Sequence, residues 1–135
     1  MSRLLQGIDL VEIQHLREFI QRHSARLEEI FSPAELEYAL ARTDPSVPLA
    51  GRFAAKEACL KALGLGLGMG EGLGALRAVE VLRLPSGRPQ LSLSGWVERR
   101  SRQLGVCDIN LTFSHTGHYA VASVVMLTKT GEELV

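Results

Sequence analysis

The sequence predicts one α+β domain over residues 1–135, a mostly antiparallel sheet packed around a central buried helix. Three observations predict it. The length of 135 residues suits a single domain. Segments rich in alternating or β-branched apolar residues gather in the second half of the chain and are joined by short turns, as antiparallel strands are. Between these and an N-terminal strand, residues 49–63 form an alanine-rich stretch that is apolar nearly all round, the pattern of a helix enclosed by protein.

Taken in order, residues 4–10 read as the first strand, ending in Gly7-Ile8-Asp9. A helix follows, with Leu16, Phe19, Ile20, Leu27 and Ile30 on one stripe at about 100° per residue and Arg17, Glu18, Gln21, Arg22 and Glu28 outside it. The next helix opens at Ser32-Pro33-Ala34-Glu35. Ser32 at N-cap and Glu35 at N3 make a capping box, and Pro33 stands at N1, where a missing N–H costs nothing. Residues 43–48 form a loop by composition, and the central helix of residues 49–63 is stopped by Gly64. From Gly64 to Gly74 glycine recurs at almost every second position, which predicts a turn-rich loop. Residues 77–84 read as a strand, Pro85-Ser86-Gly87 as a turn, and residues 88–94 as the returning arm, with Pro89 near its start, where an edge strand tolerates it. A short helix over 95–104 precedes a strand over 106–113 with Ile109, Leu111 and Phe113 on one face. A last apolar strand covers 118–127, and 128–135 is a tail.

Composition excludes several function classes. Fifteen Lys+Arg balance fifteen Asp+Glu, so no bulk field draws nucleic acid or an anionic membrane. Aromatic residues, at 5%, do not interleave with bases as a stacking platform for single strands does. No apolar run reaches the roughly 18 residues of a membrane span, and the N-terminus carries no secretory pattern. Cys59 and Cys107 fall in apolar patterns and read as small buried side chains in a reducing compartment. A cytoplasmic location fits best.

The chemistry concentrates on the central helix. Glu57 stands among Ala54, Ala55, Ala58, Leu60 and Ala62, and burying a bare carboxylate costs several kcal/mol unless a cation answers it. Either Glu57 pairs with Lys61 one turn on, or it is a metal ligand with Lys61 directed at phosphate. Asp9, where the first strand leaves the sheet, is either a helix cap or a second ligand. Two carboxylates from separate elements, with positions left for water and substrate oxygens, suit a Mg²⁺ site of the phosphoryl-transfer kind. Arg52, Lys56 and Lys61, on a helix with so little polar surface, read as phosphate contacts. The glycine run does not match a nucleotide fingerprint, which opens a helix, whereas this run closes one. Ser114 and His115 are adjacent on a strand and point to opposite faces, so they are poorly placed for a hydrolytic pair.

Several stretches carry a more specific signal. Gly7-Ile8-Asp9-Leu10-Val11-Glu12-Ile13, Ile30-Phe31-Ser32-Pro33-Ala34-Glu35-Leu36, Ala50-Gly51-Arg52-Phe53-Ala54-Ala55-Lys56-Glu57-Ala58 and Lys61-Ala62-Leu63-Gly64 strongly resemble the holo-[acyl-carrier-protein] synthases, the small 4′-phosphopantetheinyl transferases. Ser86-Gly87-Arg88-Pro89 and Ser114-His115-Thr116 with Tyr119-Ala120 also fall where that family has them. The resemblance implies the 4′-phosphopantetheinyl transferase fold, and transfer of the phosphopantetheine arm of coenzyme A to a serine of an apo acyl carrier protein, with release of adenosine 3′,5′-bisphosphate. It implies Mg²⁺ on Asp9 and Glu57, and Lys61 at the pyrophosphate. Coenzyme A contacts are implied at Arg52, Lys56, Lys61, Gly64, Pro89, His115 and Thr116. It implies a homotrimer with sites between subunits, and a basic dock for an acidic carrier: His15, Arg22 and Arg26 lie within about 40° of one another on the first helix, and of these Arg22 matches a family docking position, while His15 stands where a fixed cation is common and Ala25, beside Arg26, is uncharged. Glu57, or a metal-bound water beside it, would take the serine proton, and Lys61 would stabilise or protonate the leaving phosphate. Two other readings stay open: a non-catalytic module binding coenzyme A or a nucleotide, which has no use for both acids, and a different Mg²⁺-dependent phosphoryl transferase.

Overall fold

The computed structural model describes residues 1–66 and 72–129. Strand β1 (Arg3–Glu12) leads into helix α1 (Ile13–Arg22) and a 3-10 turn (Ser24–Glu29). Helices α2 (Pro33–Leu40), α3 (Ser46–Ala62) and α4 (Gly72–Arg77) follow. Strands β2 (Val79–Arg83) and β3 (Pro89–Leu93), helix α5 (Gly95–Gln103), and strands β4 (Val106–His115) and β5 (Tyr119–Thr128) complete the order. β1, β5 and β4 form an antiparallel sheet in that spatial order, and β2 and β3 form a separate antiparallel pair.

The inner face of the three-stranded sheet rests on α3, which also packs against α1, α2, α4 and β2. Its small residues allow this: Ala50, Ala54, Ala55 and Ala58 are fully buried, so neighbours approach the helix from several sides at once. On β5 the alternation is clean, with Ala120, Ala122, Val124 and Met126 buried and Val121, Val125 and Leu127 on the outer face. The capping box is present: Ser32 Oγ accepts from Glu35 N at 3.2 Å, and Glu35 Oε1 accepts from Ser32 N at 2.8 Å.

Four expectations are corrected. The stripe over residues 16–30 is not one helix: His23, at φ −136° and ψ 41°, ends α1, and the 3-10 turn redirects the chain so that Leu27 and Ile30 still reach the core. Arg77 belongs to α4 rather than to a strand, because Ala75 and Leu76 bury against α3 and the Arg77 guanidinium donates to the Phe31 carbonyl at 2.9 Å. The glycine loop is shorter than expected, since residues 72–74 are already helical, and its centre at 67–71 lies outside the described residues, as does the tail over 130–135. Cys107 is exposed, at an irregularity in the β4–β5 register that breaks the strand alternation. Cys59 is buried as expected, and burial pushes its thiol up to about 12, which keeps it protonated and inert.

Candidate active site

β1 meets α3 backbone to backbone at Gly7. A methyl group there would lie 1.9 Å from the Ala58 carbonyl oxygen and 2.8 Å from the Ala62 amide nitrogen, so only glycine permits the approach. Asp9, two residues further on, is on the same face of the strand and is carried to the last turns of α3. Lys61 Nζ donates to Asp9 Oδ1 at 2.9 Å and to the Ile8 carbonyl at 3.2 Å. The Asp9 side chain is largely covered, 15% exposed, whereas that of Lys61 is 48% exposed.

Glu57 lies one turn before Lys61. Its carboxyl is pushed up to about 7, first by burial and then by the charge of Asp9, while Lys61 pulls it back. The two acids therefore feel one another across the β1–α3 junction. A carboxyl raised in the folded state stabilises the fold only while it is protonated. Its contribution is complete below the unfolded value near 4.5 and is lost as pH rises through about 7. Glu57→Gln in chelator-treated protein is expected to raise Tm at pH 8 by an amount worth about 1 kcal/mol after solvent screening is allowed for, and to leave it unchanged at pH 4.5. An equal shift at both pH values would contradict this environment.

The basic residues of α3 divide between two sides. At about 100° per residue, Arg52 and Lys56 share one side, and Glu57 and Lys61 lie between a quarter-turn and a half-turn away. Lys56 is the clearest correction: it does not meet phosphate. Its side chain is wholly buried, and Nζ donates to Glu35 Oε1 at 2.8 Å and to the carbonyls of Leu76 and Val79. Glu35 Oε2 also accepts from Val81 N at 2.9 Å, so one ion pair ties α2, α3, α4 and β2 together. Burial holds the Lys56 ammonium below its ordinary value, with Glu35 opposing. Lys56→Met leaves Glu35 buried without its cation and is expected to cost about 3–5 kcal/mol in urea denaturation.

Arg52 faces a cleft of about 410 Å³ shared with Tyr38, Arg42, Arg83, Phe113 and His115. Three guanidinium carbons approach the Tyr38 ring, Arg42 at 4.2 Å, Arg52 at 4.3 Å and Arg83 at 5.0 Å. A hydrogen bond with Arg42, and the charges of all three, lower the Tyr38 hydroxyl below its usual value despite partial burial. Arg52 is 3% exposed, and its Nε is buried with no partner among the described residues. The acid on this rim, Asp44, is occupied by Arg17 Nη2 at 2.8 Å and by Ser46, and these bonds hold it below the usual carboxylate range. Positive charge is left over, so the cleft suits a phosphate-bearing ligand.

The remaining expected contacts are distributed as follows. Pro89 lines a second cleft that adjoins the first through Arg83 and Phe113. Thr116 Oγ1 accepts from the His118 and Tyr119 amides at 3.1 and 3.0 Å and so shapes the β4–β5 turn beside His115. Gly64, at φ +77°, follows the end of α3 one turn beyond Lys61. His15 and Arg22 are exposed on α1, His15 Nε2 lying 3.5 Å from Glu12 Oε2. Arg26 falls beyond the break in the 3-10 turn and donates to Glu29 at 2.9 Å, so one helical angle does not group it with the other two. Sequence reasoning missed Tyr38, Arg42 and Arg83; Tyr38 and Arg42 stand four residues apart at the end of α2, an interval that could have paired them, whereas Arg83 arrives from β2. It also missed Glu35 as the counter-ion of Lys56, because its capping-box role already accounted for it.

The chain is similar to known proteins over nearly its whole length. A family model described as the 4′-phosphopantetheinyl transferase superfamily matches residues 6–124. A holo-[acyl-carrier-protein] synthase of Moorella thermoacetica is 42% identical over 127 residues, covering 94% of this chain and 96% of that protein. The structure of the Chronobacterium ammoniagenes ACPS–CoA complex superposes with a TM-score of 0.81 at 33% identity, covering 95% of this chain and 99% of that one. The Helicobacter pylori synthase in complex with coenzyme A does so with a TM-score of 0.75 at 29% identity over 90% of this chain and 99% of that one. With the match extending across nearly all of its elements, the chain belongs to the 4′-phosphopantetheinyl transferase superfamily.

Proposed function

We propose that this protein transfers 4′-phosphopantetheine from coenzyme A to a serine of an apo acyl carrier protein, releases adenosine 3′,5′-bisphosphate, and requires Mg²⁺. The observation that carries the reading is the meeting of Asp9, Glu57 and Lys61 across β1 and α3. A module that only held a nucleotide would have no need of two acids that raise one another's cost.

The donors fit a hard divalent cation. Both are carboxylates, and the elevated Glu57 carboxyl marks a place short of positive charge. The described residues contain no cluster of three or more His, Cys, Asp or Glu side chains, so water and substrate oxygens would fill the other positions, as Mg²⁺ prefers. Held by Asp9 and Glu57, the ion would neutralise charge on the pyrophosphate oxygens. Lys61 reaches the same place from the next turn and stabilises the leaving phosphate. Glu57, or a water held beside it, would accept the serine proton.

Arg52 and His115, with Tyr38, Arg42 and Arg83, hold the nucleotide. The cleft they line does not include Asp9, Glu57 or Lys61, so a single chain carries two half-sites on different sides of α3. A homotrimer that joins the half-sites of neighbouring copies resolves this. The outer face of the sheet supports it, for Leu4, Ile8 and Leu10 are 71%, 60% and 62% exposed beside Val121, Val125 and Leu127 of β5. Sedimentation equilibrium should return three chain masses.

The carrier protein docks on α1. His15 and Arg22 supply charge, and an apolar cleft of about 240 Å³ lined by Val11, Leu16, Phe19 and Phe53 lies beside His15. Arg22→Glu is expected to raise the carrier KM about tenfold with coenzyme A binding unchanged; an unchanged KM would remove α1 from the dock. Residues 1–135 act as one domain, whose described elements share a core. No described helix is long and apolar enough to cross a membrane, and the unpaired thiols of Cys59 and Cys107 fit a cytoplasmic protein.

The test is direct. The protein is incubated with coenzyme A, Mg²⁺ and an apo carrier, and the carrier is weighed by mass spectrometry. A gain of one phosphopantetheine supports the transferase. No gain with any carrier, while coenzyme A still binds, supports the binding module instead.

A further inference from the structure

We propose that Lys61 serves as a built-in counter-ion for Asp9 in the metal-free protein, and that a divalent cation entering the site displaces it. The inference rests on the proposed metal-binding role of Asp9 and Glu57 and adds an exchange between two cations at one carboxylate.

The geometry points to exchange rather than to a fixed structural bridge. Lys61 Nζ lies 2.9 Å from Asp9 Oδ1 and 3.2 Å from the Ile8 carbonyl, so the ammonium already sits against a carboxylate assigned to the ion. An ammonium and a divalent cation on the same small carboxylate repel one another strongly. The hold is light: the side chain is 48% exposed, and among the described residues these two hydrogen bonds and the charge of Glu57 are what keep Lys61 there. Release returns the ammonium to water, where its side chain already stands 48% exposed, and the Asp9 oxygen it leaves passes to the incoming ion. Lys56, one turn earlier, shows the contrasting design, a lysine wholly buried against an acid and two carbonyls that no solvent ion can reach.

The exchange couples two roles of Lys61. While no ion is bound, the lysine limits repulsion between Asp9 and Glu57 and keeps β1 closed on α3. Once displaced, its flexible four-carbon stem leaves the ammonium free for the substrate pyrophosphate. Ion binding would thus precede the full engagement of Lys61 with coenzyme A.

The experiment measures Mn²⁺ binding by electron paramagnetic resonance without coenzyme A or carrier, in wild type, Lys61→Met, Lys61→Arg and Asp9→Asn. Exchange predicts that Lys61→Met tightens Mn²⁺ binding about tenfold by removing the competing charge, that Lys61→Arg stays close to wild type, and that Asp9→Asn abolishes binding. In wild type, Mg²⁺ should also shift the Lys61 ¹³Cε resonance. Unchanged or weaker binding in Lys61→Met, with Asp9→Asn still abolishing it, overturns the exchange and leaves the metal site standing. Binding that is equal in wild type and Asp9→Asn overturns the metal site itself. Circular dichroism of each variant separates these outcomes from loss of fold.

Discussion

Asp9→Asn is expected to lower kcat by about 10³-fold while leaving the fold nearly as stable as before. The two halves of this expectation have separate causes. The carboxylate meets Glu57 at the β1–α3 junction and is the partner of Lys61, so its loss removes a proposed metal ligand and the group that orients the lysine. For stability the change is close to neutral. The Asp9–Lys61 bond is half-exposed on the lysine side and contributes about 1 kcal/mol or less. Its loss is offset because Asp9 is one of the groups that raise the Glu57 carboxyl. The measurement pairs steady-state transfer to the carrier at saturating Mg²⁺ with a urea titration. Wild-type turnover in a folded Asp9→Asn protein would defeat the proposed site. A large fall in the urea midpoint would instead make Asp9 a structural residue.

Gly7→Ala is expected to act in the opposite sense, through the fold. An added methyl placed 1.9 Å from the Ala58 carbonyl meets backbone on both sides, and neither side can turn away as a flexible side chain could. β1 must lift from α3 or slide along β5, against which Gly7 pairs with Val124. We expect a loss of about 3 kcal/mol or more. The folded molecules that remain should turn over slowly, because any lift moves Asp9 away from Glu57 and Lys61. An unchanged denaturation midpoint would mean that β1 does not lie on α3 as described. Asp9→Asn and Gly7→Ala together separate the chemistry of the junction from the packing that creates it.

Local chemistry made much of this legible beforehand. The capping box at Ser32–Glu35, the alternation of β4 and the alanine-rich course of α3 each depend on residues within a turn or a strand of one another. Asp9, Glu57 and Lys61 were legible for a different reason: charged groups stood in stretches with too little polar surface to make them routine. Long-range partners were not legible. Lys56 and Lys61 look alike in the sequence, one just before Glu57 and the other four residues after it, yet one is saturated in the core and the other lies at the surface beside Asp9. Arg52 and Arg83 gave no sign of meeting Tyr38, because they reach its ring from α3 and β2 by packing, and only Arg42 stands at a helical interval from it. The break at His23 was hidden too, since the apolar stripe passes through it without interruption.

By itself the sequence determined the order and kind of most elements, the enclosed helix, and the pair of acids that marks the chemistry. These follow from the burial preferences of side chains and from the periods of 3.6 and 2 residues on which helices and strands expose their faces. The tertiary structure alone decided which basic residue faces solvent and which faces the core, which arginines share a cleft, and how closely Asp9 approaches α3. Those outcomes depend on distances between segments far apart in the chain, and such distances are set by packing, here by a glycine without a side chain resting on a helix backbone.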